Sequence, residues 1–199
     1  RFDEQLLDLG RRALDFCRER EVVPVVVLGR SYTIHNDVLN SNVPSILREQ
    51  GAIAIPVDCY PTPDEAPIFE DVFWGYGQRI LRAAWHLRRQ PGIYSVFCSN
   101  YSCGPDSFTV HGFAYLMEGR PFAIIETDGH AGDAGTKTRV EAFLHCVRED
   151  LASTRARAPN TEGILTVPQR LLAEVAAGGE RVLIPPMGPE PLALAAVLR

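Results

Sequence analysis

The chain has little that would hold it in a membrane, on a nucleic acid or behind disulfides. None of its apolar runs approaches the roughly 20 residues that a bilayer-spanning helix needs. Basic residues are in the minority, 20 Lys and Arg against 25 Asp and Glu, for a formal net charge of -5. That balance leaves no electrostatic footprint for nucleic acid. Arg11-Arg12 and Arg88-Arg89 read as solvated helix faces. There are only five cysteines, at 17, 59, 98, 103 and 146, an odd number with no C-x-x-C spacing. Such a set speaks against a disulfide framework and a self-contained zinc site, and for a reducing cytoplasm. Cys17 and Cys146, on helical patterns, are expected to be core residues, because a free cysteine buries like a small hydrophobe. Internal repeats and low-complexity segments are also lacking.

What is present is an ordinary globular composition, 46% hydrophobic and 23% charged over 199 residues, enough for a substantial core. Residues 1–20 read as a helix with Leu6, Leu9, Ala13, Phe16 and Cys17 at helical spacing. "VVPVVVLG" (22–29) is a continuous apolar run, the pattern of a strand covered on both faces. A polar loop with Ser31, His35, Asn36 and Asp37 follows, then a helix to about Gln50, stopped by Gly51. "AIAIPVD" (52–58) is a second strand, and the Pro-rich 59–67 is loop. A helix is expected over 68–89, in which Gly75 and Gly77 are poor helix residues explained by close backbone packing or by ligand contact. Strands follow at 93–99 and 121–128, and helices at 104–118 and 138–151, the last opened by a Thr138–Glu141 capping box. The expected fold class is α/β: a doubly wound, mostly parallel sheet of Rossmann or flavodoxin-like kind with helices on both faces. The organisation expected is one domain over 1–199: a leading helix (1–20), four strand–helix units (21–152), and a connector with a final strand and helix (153–199). The missing initiator Met and an apolar helical run at 191–198 that stops abruptly suggest a piece of a longer polypeptide.

Ligands of open parallel sheets bind outside the carboxyl ends of the strands. That selects Gly29-Arg30, Asp58-Cys59, Asn100 to Asp106, and Asp128 to Arg139. The glycines of "GHAGDAGTKTR" do not make a P-loop, because Thr136 separates Gly135 from Lys137. A tight turn before a capped helix explains them better than anion binding does, because Asp128 and Asp133 place negative charge nearby. Arg30 is suited to a carboxylate or phosphate, or to pairing with Asp58 or Asp128. His35 and His130 read as hydrogen-bonded loop residues rather than ligands. Pro105 fits the first turn of a helix, which puts Cys103 at its cap, where the positive end of the dipole favours a thiolate. Cys98, near a strand end, reads as a structural thiol, and the C-x4-C pair lacks the C-x2-C continuation of a ferredoxin.

Four blocks, "VVVLGRSYTIHNDVLNSNVPSILREQG", "SNYSCGPDSF", "ETDGHAGDAGTKTRVEAF" and "IPPMG", occur in an order that resembles the 2-hydroxyacyl-CoA dehydratase activase-related family, from about Val22 to Met187. The family includes CoA-substrate-specific enzyme activases and relatives of the dehydratase subunits. The resemblance implies doubly wound domains that cradle an iron–sulfur cluster through cysteines of more than one domain. It also implies an ATP-hydrolysing activase module that drives low-potential electron transfer. Cys103, in "CGPDSF", is at the matching position and is the implied metal ligand. The candidate binding residues, which come from the rule about strand ends, are Gly29, Arg30, Asn100, Asp106, Ser107, Asp128, His130, Asp133, Thr138 and Arg139; the resemblance marks the Asp128 to Glu141 block without giving its members a role. The remaining cysteine motifs and the ATPase module have no counterpart here, so this piece alone is expected to hold no stable cluster, since one thiolate does not suffice. The implied partners are other domains of the same polypeptide, the activase module, and a CoA-linked dehydratase or further copies of the chain; nucleic acid and membrane are not among them. Two rival readings stand beside this one. The first is a metal-free module in which Arg30 and the 129–138 glycines hold a phosphate or carboxylate, and the second is a docking domain of a larger assembly.

Overall fold

A computed structural model describes residues 2–101, 103–127, 133–153 and 177–178. The chain divides into two compact units, Arg1–Leu165 and Thr166–Arg199. Every element below belongs to the first. The final strand and helix expected after 153 lie outside the described residues, apart from 177–178.

In chain order the elements are α1 (Phe2–Arg20), β1 (Val23–Leu28), α2 (Ser31–Ile34), α3 (Val43–Glu49), β2 (Ala52–Pro56), α4 (Gly75–Leu87), β3 (Tyr94–Asn100), α5 (Gly104–Met117), β4 (Phe122–Thr127) and α6 (Asp133–Ala152). The strands form one sheet in the order β2-β1-β3-β4. All its pairings are parallel, with Val25 opposite both Ala54 and Tyr94, and Val96 opposite Ala123. This is the expected doubly wound α/β architecture. In β3 every residue from Tyr94 to Ser99 is buried, odd and even positions alike. Successive side chains point to opposite faces of a sheet, so both faces are covered. The covering helices pair as α4 with α5 and α3 with α6. The core runs from Val25–Leu28 through Phe97 and Phe113 to Val140, Phe143, Leu144 and Val147. Phe113 stands edge-on to Phe122 with ring centroids 5.2 Å apart.

Four local expectations change. First, α1 turns Gly10, Leu14 and Cys17 to the sheet rather than Leu9 and Phe16, which are exposed. Gly10 dictates this choice, because a Cβ there would stand 1.7 Å from the carbonyl oxygen of Cys59. Only a bare backbone approaches so closely. Second, 68–74 is not helical. The side chain of Gln78 accepts from Phe69 N at 3.0 Å and donates to Val72 O at 2.8 Å, so it serves the backbone groups that a helix would have paired internally. Gly77, just inside α4, is buried because a Cβ would lie 2.9 Å from Val72 Cγ1, which is the packing explanation. Third, α6 starts at Asp133, so Thr138 is no cap; its hydroxyl donates to Ala134 O at 3.0 Å inside the helix. Fourth, Cys146 is exposed, as is Leu151, whereas Cys17 is buried as expected.

Candidate functional site at the carboxyl edge

The chain leaves β1 towards β2 on one side and reaches β3 on the other, so the strand order reverses between β1 and β3. Beyond the carboxyl ends of such a strand pair lies the crevice where doubly wound proteins bind their ligands. Gly29 ends β1 with φ 149, and a Cβ there would meet Cys98 O at 2.5 Å and Ile34 Cγ2 at 2.7 Å. The turn can therefore be made only by glycine, and it delivers Arg30 to the crevice.

Arg30 Nε donates to Asp106 Oδ1 at 3.0 Å. Asp106 Oδ2 accepts from Ser99 Oγ at 2.8 Å. The Asp106 side chain is only 3% exposed and that of Arg30 20%. Asp106 lies in the first turn of α5, where the unpaired N–H groups favour a negative charge. Burial works against the charge on Arg30. It is outweighed by the bond to Asp106 and by the neighbouring Cys103, Asp106 and Tyr32, so the guanidinium pKa is held above its ordinary value. Among the described residues Arg30 thus pairs with Asp106 and not with Asp58. Asp58 instead receives His35, whose Nε2 lies 3.0 Å away, and the guanidinium of Arg79. His35 is the hydrogen-bonded loop residue expected.

Asn100 is used up as a tie. Its Oδ1 accepts from Thr33 Oγ1 at 2.6 Å, and its Nδ2 donates to Leu39 O at 3.2 Å and Thr127 O at 3.4 Å. One side chain therefore joins the segments that follow β1 to the ends of β3 and β4. Ser107 is turned back into its own helix, 2.6 Å from Gly104 O.

Cys103 is the N-cap of α5, and its sulfur makes no capping bond. The thiol is partly exposed, 3.7 Å from the Tyr32 hydroxyl. Burial, then the bond to Cys103 and the nearby negative charge, push the Tyr32 pKa up; Arg30 pulls the other way. The Arg30 guanidinium lies 6.0 Å from the Tyr32 ring centre. Near the start of α5, Phe108 stacks on Trp74 with centroids 5.8 Å apart. Cys98 is fully buried and burial raises its pKa to about 12, so it is the structural thiol expected.

The structure therefore brings together Gly29, Arg30, Asn100, Asp106 and Cys103. Within that group, and among the described residues, the Cys103 thiol has the Tyr32 hydroxyl as its hydrogen-bond partner and the terminal nitrogens of Arg30 have none. No family model, curated protein or solved structure matches this chain. Thr138 and Arg139 are exposed on α6 and share no hydrogen bond with that group among the described residues. Asp128 and His130 lie outside the described residues, as does the side chain of Asp133. Sequence reasoning missed Tyr32, Thr33 and Ser99. Ser99 carried a readable signal, a hydroxyl next to the last residue of β3 and thus beside the loop that follows.

Proposed function

We propose that this domain supplies Cys103 as one thiolate ligand of an iron–sulfur cluster that cysteines of other domains complete, within an acyl-CoA dehydratase activase-like system for ATP-coupled, low-potential electron transfer. The observation that carries the reading is the placement of Cys103. It is a partly exposed helix cap, its sulfur is not spent on capping, and it lies at the sheet edge where such folds bind ligands. The sequence resemblance supplies the system. Among the described residues no three His, Cys, Asp or Glu side chains converge as a metal site. The residues thus fit one position of a cluster and no more. A cluster bound there would carry the electron. The chain's own part is to hold the thiol: Gly29 permits the turn, Asp106 fixes Arg30 beside it, and Asn100 locks the surrounding loops.

The test is anaerobic purification of the full-length protein. The reading expects iron and a broad visible absorption band that Cys103→Ser removes or alters. A colourless, iron-free protein refutes it. A metal-free alternative draws on the terminal nitrogens of Arg30, which make no hydrogen bond among the described residues and suit a phosphate or carboxylate. Thermal stabilisation by phosphate, ATP or CoA that survives Cys103→Ser but not Arg30→Ala would favour that alternative.

A further inference from the structure

Tyr32 is an aromatic residue that the core does not use. It lies in α2 and is 51% exposed. The two residues that follow it, Thr33 and Ile34, are buried. Thr33 Oγ1 donates to Asn100 Oδ1 at 2.6 Å, and the N–H groups of Thr33 and Ile34 both donate to Arg30 O at 2.9 Å. The backbone at Tyr32 is therefore fixed, while its ring reaches out to the cap of α5. Arg30, itself anchored by Asp106, faces that ring within cation–π reach, 6.0 Å from its centre. The Tyr32 hydroxyl lies 3.7 Å from Cys103 Sγ, which is its hydrogen-bond partner among the described residues.

A thiol and a phenol can each donate to the other. A thiolate has no proton to give, so once Cys103 is a ligand the direction is fixed: the Tyr32 hydroxyl donates and the sulfur accepts. We propose that Tyr32 is a positioning and tuning residue of the cluster site, whose hydroxyl donates to the Cys103 sulfur and raises the reduction potential. This inference rests on the reading of Cys103 as a cluster ligand. Reduction adds negative charge, and part of it falls on the ligand sulfurs. A donor to one of those sulfurs stabilises the reduced state more than the oxidised one, so the potential rises. The ties from Thr33 to Asn100 and from Arg30 to Asp106 hold the donor in place in both states.

The test is Tyr32→Phe in the anaerobically purified full-length protein, which removes the hydroxyl and keeps the ring. Circular dichroism and iron content are expected to match the parent, because the side chain is half exposed and the core does not use it. Potentiometric titration of the visible band is expected to show a one-electron reduction equilibrium weakened about threefold, a potential lower by about 28 mV at about 59 mV per tenfold. Resonance Raman spectra add a signature that a structural role would not move. Transfer of the parent to heavy water shifts an iron–thiolate stretching band, because the proton bonded to the sulfur exchanges, and Tyr32→Phe loses that shift. An equal or higher potential in the variant overturns the inference, as does a heavy-water shift that survives the substitution. If Cys103→Ser alters the band while Tyr32→Phe leaves potential and spectrum unchanged, this inference alone fails and the ligand reading stands. A colourless, iron-free parent overturns both.

Discussion

Gly10→Ala sets two effects of opposite sign against each other. In a helix interior alanine is favoured over glycine by about 1 kcal/mol. At this position, however, the new methyl carbon would lie 1.7 Å from Cys59 O and 2.6 Å from Cys59 C, where ordinary contact begins at 3.4 Å. The obstacle is backbone held at the end of β2, so it cannot rotate away. Helix α1 must retreat by roughly 1.5 Å, loosening Leu14 and Cys17 from the sheet, and forced overpacking of this kind costs about 1–3 kcal/mol. The lost contacts of Leu14 and Cys17 add to that cost and outweigh the propensity gain. The net expectation is a loss of about 2 kcal/mol, or a Tm lower by about 4–8 °C for a domain of this size. Gly135→Ala is the control. It lies near the start of α6 with nothing within 4 Å of its built Cβ, so propensity acts alone and Tm is expected to rise by about 2–4 °C. Thermal and urea unfolding of both variants beside the parent measure the two effects. If Gly10→Ala proves as stable as the parent while Gly135→Ala gains, α1 does not dock on the sheet through Gly10.

Two further outcomes are expected. Arg30→Ala and Asp106→Ala should each cost about 2–3 kcal/mol, because each strands a largely buried charge. The double variant should cost little more than the worse single, and additive urea midpoints would show that the pair is not coupled. The second outcome concerns His86, which is partly buried against Tyr60, with Tyr60 Oη 3.0 Å from its Nδ1. Burial, then the neighbouring Arg89, lowers its pKa below the ordinary 6.5. Between the folded value and 6.5 the unfolded chain binds more protons, so stability falls as pH drops through that window and the loss is complete below the folded pKa. Urea midpoints between pH 8 and 5 should therefore fall more steeply for the parent than for His86→Gln, and parallel profiles would remove His86 as the cause.

The strands were legible because a doubly covered parallel sheet writes itself as unbroken apolar runs. "VVPVVVLG" and "IYSVFCS" gave β1 and β3 to within a residue or so at each end. Helices were read less well where local pattern and tertiary demand diverge. Helix α1 has more apolar positions than the sheet can cover, so periodicity alone could not say that Gly10, the residue with no side chain, marks the docked face. Helical spacing over 68–74 was real, but Gln78 reaches back to that backbone and holds it in another conformation. At the candidate site the rule about strand ends found Gly29, Arg30, Asn100, Asp106 and Cys103. It could not find who pairs with whom. Arg30 and Asp106 are 76 positions apart, and nothing near either residue distinguishes Asp106 from Asp58 as the partner. Asn100 looked like a ligand group and is a tie instead, since an amide has as many bonds to offer the fold as to offer a ligand.

That tie also bears on the order of folding. Its bonds reach Thr33, Leu39 and Thr127, which are 67, 61 and 27 positions away. None can form until β1, β3 and β4 already lie side by side, because closing loops of that length is repaid only by the strand pairing itself. Asn100 therefore belongs to the last stage of assembly. Removing its amide would leave the folding rate nearly untouched and hasten unfolding, with the carboxyl edge opening first while the sheet beneath it stays intact.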